Sequence, residues 1–266
     1  MLKRVGLLVA VVCGLPGLAG AASILVNEFN AVAATQFLNG GTAAADVDGV
    51  PTADTYFGRV AGNGGDWLEL VVIQDHLDLR GSALSIDEGT GAARSNTTLT
   101  FTQSSLWSDL RSGTIITVAE DVPDDPTYNP LGGDWWINVQ ASNTASGQFI
   151  TAHNFSVSND DTQISVLDSL SQVVFGPAGE GVQPLTGINN REVWKLEADP
   201  SAAITPLSSY NDGSSSSFGS PNRWNSGANV QDLSALRAAV PEPGAARLFG
   251  VALALALSAG RARRAA

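Results

Sequence analysis

The sequence predicts an all-β protein, a β-sandwich with long loop insertions. Short runs rich in β-branched and aromatic residues recur along the 266-residue chain. Clusters of Gly, Pro, Asn and Asp punctuate them. Before Val230 only residues 104–110 read as a helical turn or two, with Ser104 or Ser105 as the cap. No internal repeat of fixed period is visible, which argues against a propeller or solenoid. Many short strands at such spacing are the pattern of a sandwich.

Taken in order, the first strand is expected at 23–29, where Ile24, Val26 and Phe29 come near a strand rhythm. Residues 66–73 start with alternation and become continuously apolar, as a buried strand does. Here Trp67, Leu68 and Leu70 cannot all share a face. Leu68 and Leu70 are expected inward, with Trp67 covering the other face or a neighbouring loop. Further strands are expected at 83–87, 97–102, 114–119, 135–139, 147–152, 163–168, 172–175 and 192–197. Two segments read as loops: 33–65, which is long for a compact domain, and 211–225, rich in Ser and Gly. Residues 229–239 read as a short helix or a spacer.

Composition narrows the function. Hydrophobic residues make up 44% and charged residues only 15%, well under the usual quarter. The net charge is −12, and the ends conceal a larger asymmetry. Six of the 14 basic residues (Lys3, Arg4, Arg247, Arg261, Arg263 and Arg264) lie in the terminal segments, as does Glu242 among the 26 acidic ones. Residues 22–240 therefore carry 8 basic against 25 acidic residues. Such a body repels phosphate backbones, so no nucleic acid is expected as partner. It suits solubility or attraction for cations. The single cysteine, Cys13, lies in the first 21 residues. Beyond them a disulfide framework, a thiolate metal site and a cysteine nucleophile are all excluded.

The two ends carry the strongest signals. Residues 1–21 read as a signal peptide: Lys3 and Arg4, an apolar run from Val5 to about Leu18, and a small-residue cleavage site at Ala19-Gly20-Ala21. The run is shorter than a spanning helix needs. At the other end come Val240-Pro241-Glu242-Pro243-Gly244, an apolar stretch over about 248–260, and an arginine cluster from Arg261. Pro241 and Pro243 keep the backbone extended, where a processing enzyme can grip it. The apolar stretch enters the membrane as a short transmembrane helix, and the arginines hold on the cytoplasmic side. A span this short fits a temporary holding device better than a permanent anchor.

This tail resembles the PEP-CTERM sorting signal of Gram-negative, biofilm-forming bacteria. The short span and Arg247 depart from the usual pattern. The resemblance implies recognition at the sorting motif Pro241, Glu242 and Pro243 by an exosortase-type membrane protease, which removes the tail. The protein then passes to the cell surface, outer membrane or extracellular matrix.

A second resemblance lies in the body. Val26-Asn27-Glu28-Phe29 is followed by Gly65-Asp66-Trp67-Leu68-Glu69-Leu70. Then come Asp78-Leu79-Arg80-Gly81-Ser82-Ala83-Leu84 and, late in the chain, Ser217-Phe218-Gly219-Ser220-Pro221-Asn222. Together these resemble the lamin-tail domain of bacterial secreted proteins, which implies an immunoglobulin-like β-sandwich over 22–226. Residues 227–240 are then a linker and 241–266 the sorting signal. The region exceeds a typical lamin-tail domain through the 33–65 loop and the 120–160 region. Glu28, Asp66 and Glu69 are expected to hold loop backbone N–H groups by charge-assisted bonds.

No catalytic residue, metal site or cofactor is assigned. His76 and His153 are the only histidines, and no serine sits in a nucleophile elbow. Two isolated histidines do not make a zinc site. Carboxylates gather at Asp46, Asp48 and Asp54, at Asp121, Asp124 and Asp125, and at Asn159-Asp160-Asp161. Calcium takes its oxygen ligands from such loops, and ordinary acidic turns are the alternative. Trp67, Trp107, Trp135, Trp136, Trp194 and Trp224 raise a sugar-stacking role against a core role. The expected function is therefore non-enzymatic, a surface or matrix protein with a structural or adhesive role. A carbohydrate-binding module for matrix polysaccharide is the alternative, and a secreted hydrolase comes third.

Overall fold

The structure, a computed structural model, describes residues 22–38, 53–182 and 187–238. The signal peptide, Asp46 and Asp48 of the first acidic cluster, and the tail with Pro241, Glu242, Pro243 and the 248–260 stretch lie outside the described residues. Among the described residues, no helix is long and apolar enough to cross a membrane.

The all-β expectation holds. One sheet has six strands in the order β10-β9-β1-β2-β5-β6. These are β10 (Tyr210–Gly213), β9 (Val193–Leu196), β1 (Ile24–Asn30), β2 (Trp67–Val72), β5 (Ile115–Ala119) and β6 (Trp136–Gln140). All neighbours run antiparallel except β5 and β6, which are parallel. The second sheet has the order β4-β3-β7-β8, built from β4 (Ser95–Thr100), β3 (Ala83–Glu88), β7 (Gln163–Leu167) and β8 (Val173–Gly179). The sheets share one core. Val26, Leu68, Leu70, Ile116 and Trp194 from the first meet Leu84, Ile86, Leu99, Ile164, Val166 and Phe175 from the second.

Alternation explains both sheets. Leu68 and Leu70 point into the shared core, while Trp67 joins Val32, Leu38, Ala119, Val122, Val193 and Phe218 in a separate cluster. That second cluster lies on the far face of the six-stranded sheet. Near 104–110 the expected helical turn is a 3-10 turn, Ser105–Trp107, whose cap Ser104 accepts from the Leu106 N–H at 3.3 Å. The strand expected over 147–152 is reduced to a bridge between Phe101 and Ile150.

Two expectations are corrected. The segment 211–225 is not simply a loop. It holds most of β10 and all of β11 (Arg223–Trp224), and Ser214 to Ser217 are buried to 1% exposure or less. Its Ser-rich composition imitates a solvated loop, but the Ser216 and Ser217 hydroxyls donate to Asp54 and Glu28 inside the protein. Residues 227–238, read as a linker, are packed on the domain, and the short helix read as one alternative for 229–239 is present. They form β12 (Asn229–Val230), which pairs with β11, and the single-turn helix α1 (Ser234–Arg237), with Gln231 and Leu233 buried.

Candidate functional site

A row of polar side chains crosses the whole six-stranded sheet on its far face. In register across neighbouring strands stand Asn211, Lys195, Glu28, Glu69, Thr117 and Asn138. Lys195, Glu28, Glu69, Thr117 and Asn138 are fully buried. A β-bulge helps to build it. The β1–β2 register shifts between Val26 and Glu28, so Asn27 is an extra residue facing β2. Asn27 Nδ2 donates to Glu69 Oε1 at 2.7 Å, while Glu28 stands opposite Glu69. In a regular strand Asn27 and Glu28 would point to opposite faces and could not both reach Glu69.

The closing segment 214–222 covers this row. Glu28 accepts from the Ser217 N–H at 3.3 Å and from Ser217 Oγ at 2.9 Å. Glu69 accepts from the Gly219 N–H at 2.9 Å. Asp54, reaching in from the long insertion, accepts from the Phe218 N–H at 3.1 Å and from the Ser216 hydroxyl. Between these bonds the Phe218 ring, 1% exposed, packs against Trp67, Phe57, Tyr56 and Trp136, with ring centroids 4.8–5.9 Å away. Gly219 has φ +71°, and a Cβ there would lie 2.6 Å from the Trp136 ring, so glycine is required on both counts. Asn222 ends the segment by donating from Nδ2 to the carbonyls of Asn27 and Leu196. Gln231 seals that corner, donating to Asn27 Oδ1, Leu196 O and Ala198 O.

Electrostatics follow from this closure. Burial pushes Glu28 up to about 8, against the opposing pull of Lys195 and with reinforcement from Asp54. Burial, and then the neighbouring Glu28, hold Glu69 well above the usual carboxylate range. Two carboxyl groups this close in a dry site resist ionising together. A protonated carboxyl can both donate and accept, which suits a site crowded with hydroxyls and amides.

Asp66 behaves as expected of it. Its Oδ1 accepts from the Val157 N–H at 3.0 Å, and burial raises it to about 6. Glu120 accepts from the Phe155 N–H at 2.7 Å and Glu88 from Ser156 Oγ at 3.1 Å. Three carboxylates thus pin residues 155–157. Beside them lie two depressions of about 380 and about 210 Å³, the first lined by Phe57, Val60 and Asp121, the second by Asp66, Ser156 and Asn159. Neither is lined by Glu28 or Glu69.

Three of the four motif segments singled out in the sequence therefore converge: 26–29, 65–70 and 217–222. The fourth, 78–84, lies elsewhere, where Asp78 pairs with Arg80 at 2.6 Å in solvent. Sequence reasoning missed Lys195 and Gln231, and it placed Asp54 with Asp46 and Asp48 as an acidic loop instead of under the closing segment. Lys195 had a signal, being the one charge in the apolar run Val193-Trp194-Lys195-Leu196. Gln231 had none, and nothing local gave the partners of Asp54, because these lie up to 204 and 162 to 164 residues away in sequence.

The remaining candidates stay apart. His76 bonds Asp109 at 2.6 Å on the surface, and His153 bonds the carbonyl of Asn154. Asp124 and Asp125 accept from Gln140 N and Thr127 N, and Glu180 accepts from Asp161 N. Among the described residues, no group of three or more His, Cys, Asp or Glu could hold a metal ion. Trp67, Trp107 and Trp194 are fully buried, and Trp135, Trp136 and Trp224 are half-buried. In comparisons with known proteins, no family profile, no curated protein and no solved structure matches this chain, so the two resemblances rest on their motifs alone.

Proposed function

We propose that this chain is an exported, non-enzymatic cell-surface or extracellular-matrix protein with a structural or adhesive role. Its body is an immunoglobulin-like, lamin-tail-like sandwich. Its tail is recognised at Pro241, Glu242 and Pro243 and removed by an exosortase-type protease of the inner membrane. The observation that carries the reading is the ordered pair of ends, an export signal before residue 22 and a Pro-Glu-Pro, apolar, arginine tail after residue 240. The site geometry supports the non-enzymatic part. The strongest cluster of acidic groups spends its oxygens on the backbone and hydroxyls of 216–219 and sits under Phe218. The test is mass spectrometry of the protein recovered from cells with and without the sorting protease. A product beginning near Ala22 and ending near the Pro-Glu-Pro motif is expected. A chain still ending at Ala266 when the protease is present would sink the reading. A glycan array then separates this role from that of a carbohydrate-binding module for matrix polysaccharide.

A further inference from the structure

The residues just before the sorting motif are held against the domain. Leu233 is 3% exposed and belongs to the shared core, and Leu236 packs against it. Ser112 Oγ donates to the Leu236 carbonyl at 2.7 Å. Arg237 donates from Nε and Nη2 to the Gly113 carbonyl at 3.1 and 3.0 Å. Its guanidinium also lies over the Trp135 ring, 5.0 Å from the centroid. The approach is close enough to demand glycine. Gly113 has φ +82°, and a Cβ there would lie 2.7 Å from Arg237 Cγ. Upstream, Gln231 is locked into the buried polar row. The domain therefore holds the chain at Gln231, Leu233, Leu236 and Arg237.

Pro241 follows Ala238 by three residues, and three residues of extended chain reach at most ~11 Å. A processing enzyme that takes its substrate as an extended strand needs several residues on each side of the bond it cuts. The residues upstream of the motif are wound into α1 and bound to Ser112, Gly113 and Trp135. We propose that this clamp restrains removal of the tail, so that α1 must leave the face formed by Ser112, Gly113 and Trp135 before the protease can engage the Pro-Glu-Pro motif. The inference rests on the sorting reading above and adds its regulation. Local release of a chain end is far easier than global unfolding. When opening and closing are fast, cleavage follows the population of the open form. The clamp would then set the rate of processing and favour chains in which α1 is free to open.

Two substitutions test it in the full chain. Arg237→Ala removes both bonds to Gly113 and the contact with Trp135; Trp135→Ala removes the ring alone. Both are expected to speed tail removal in cells several-fold, Arg237→Ala the more. A separate readout is limited trypsin digestion of the purified full chain. Cleavage after Arg237 should be slow in the wild type and several-fold faster in Trp135→Ala, with the sheet core still resistant. Equal tryptic rates would overturn the clamp. Faster tryptic cleavage with unchanged tail removal would overturn its control of processing while leaving the sorting reading in place. A tail that stays on in every variant, whatever trypsin does, overturns the sorting reading itself.

Discussion

In β1 every residue is buried, whereas in β4, at the edge of the other sheet, only Leu99 is. Both strands are antiparallel to their neighbours, and both begin from the same alternation of side chains. The difference lies in what covers the far face. On the six-stranded sheet the chain folds its own insertion and closing segment over a row of polar residues, with Ser217 and Gly219 bonding Glu28 and Glu69, and Ser216 and Phe218 bonding Asp54. On the four-stranded sheet the corresponding face, with Asn96, Thr98, Ser85 and Asp87, stays partly or fully in water and bonds within itself. A polar residue therefore has opposite weight on the two sheets. In the covered row a lost partner leaves a desolvated group unpaired; on the open face water replaces it.

The sharpest way to break that contrast is to remove the anchor of the cover. Phe218→Ala should cost about 3–5 kcal/mol, the range for deleting a buried aromatic ring from a packed site. The cost includes loosening of the bonds from 216–219 to Asp54, Glu28 and Glu69. Denaturant unfolding measures it directly. A loss under about 1 kcal/mol would mean that the segment merely rests on the sheet.

The pH response sharpens the contrast next. An ordinary glutamate releases its proton near 4.5, and Glu28 in the fold near 8. Between those values the folded protein keeps a proton that the unfolded chain has lost. This contribution to stability is full below about 4.5 and is lost as pH rises through about 8. The groups that face Glu28 are Lys195 on β9, Glu69 on β2, Asp54 in the insertion and Ser217 in the closing segment. Lys195 and the Ser217 bonds oppose the shift and Asp54 works with it, while Glu28 in turn raises Glu69. At 1.36 kcal/mol per pH unit the loss is on the order of 2–4 kcal/mol between about pH 5 and about pH 8. Unfolding at the two pH values should show the wild type weaker at the higher one, and Glu28→Gln should reduce the difference, the remainder belonging to Glu69, which burial also holds protonated. A wild type more stable at pH 8 would contradict a proton held in the row.

How much of this was readable beforehand depends on distance along the chain. Apart from β10, the strands of both sheets announced themselves through local composition, and so did the opposite directions of Trp67 and Leu68. Glu28, Asp66 and Glu69 were legible as holders of backbone N–H groups because each interrupts or borders an apolar run. The bulge at Asn27 was not, since one extra residue shifts the register without changing composition. Nor was the closing segment, whose Ser and Gly content suits a solvated loop until Asp54 and Glu28 are known to meet it. Ser216 and Ser217 are buried on partners 162 and 189 residues away, and local rules do not see them.

The smallest expected effect tests the open side. Asn96 donates to Ser85 Oγ at 2.8 Å and to Asp87 Oδ1 at 3.2 Å, and it accepts from Thr98 Oγ1 at 3.4 Å. On paper that is as many bonds as Asn27 Nδ2 makes on the covered sheet. Asn96 is exposed, so water takes over each partner when the amide is removed. Asn96→Ala should change stability by no more than about 0.5 kcal/mol, as surface substitutions do. Asn27→Ala should cost several times as much, because Glu69, Asn222 and Gln231 would each lose a partner in a dry site. Equal costs in denaturant unfolding would show that the bonds themselves, and not the cover above them, decide what a polar residue contributes here.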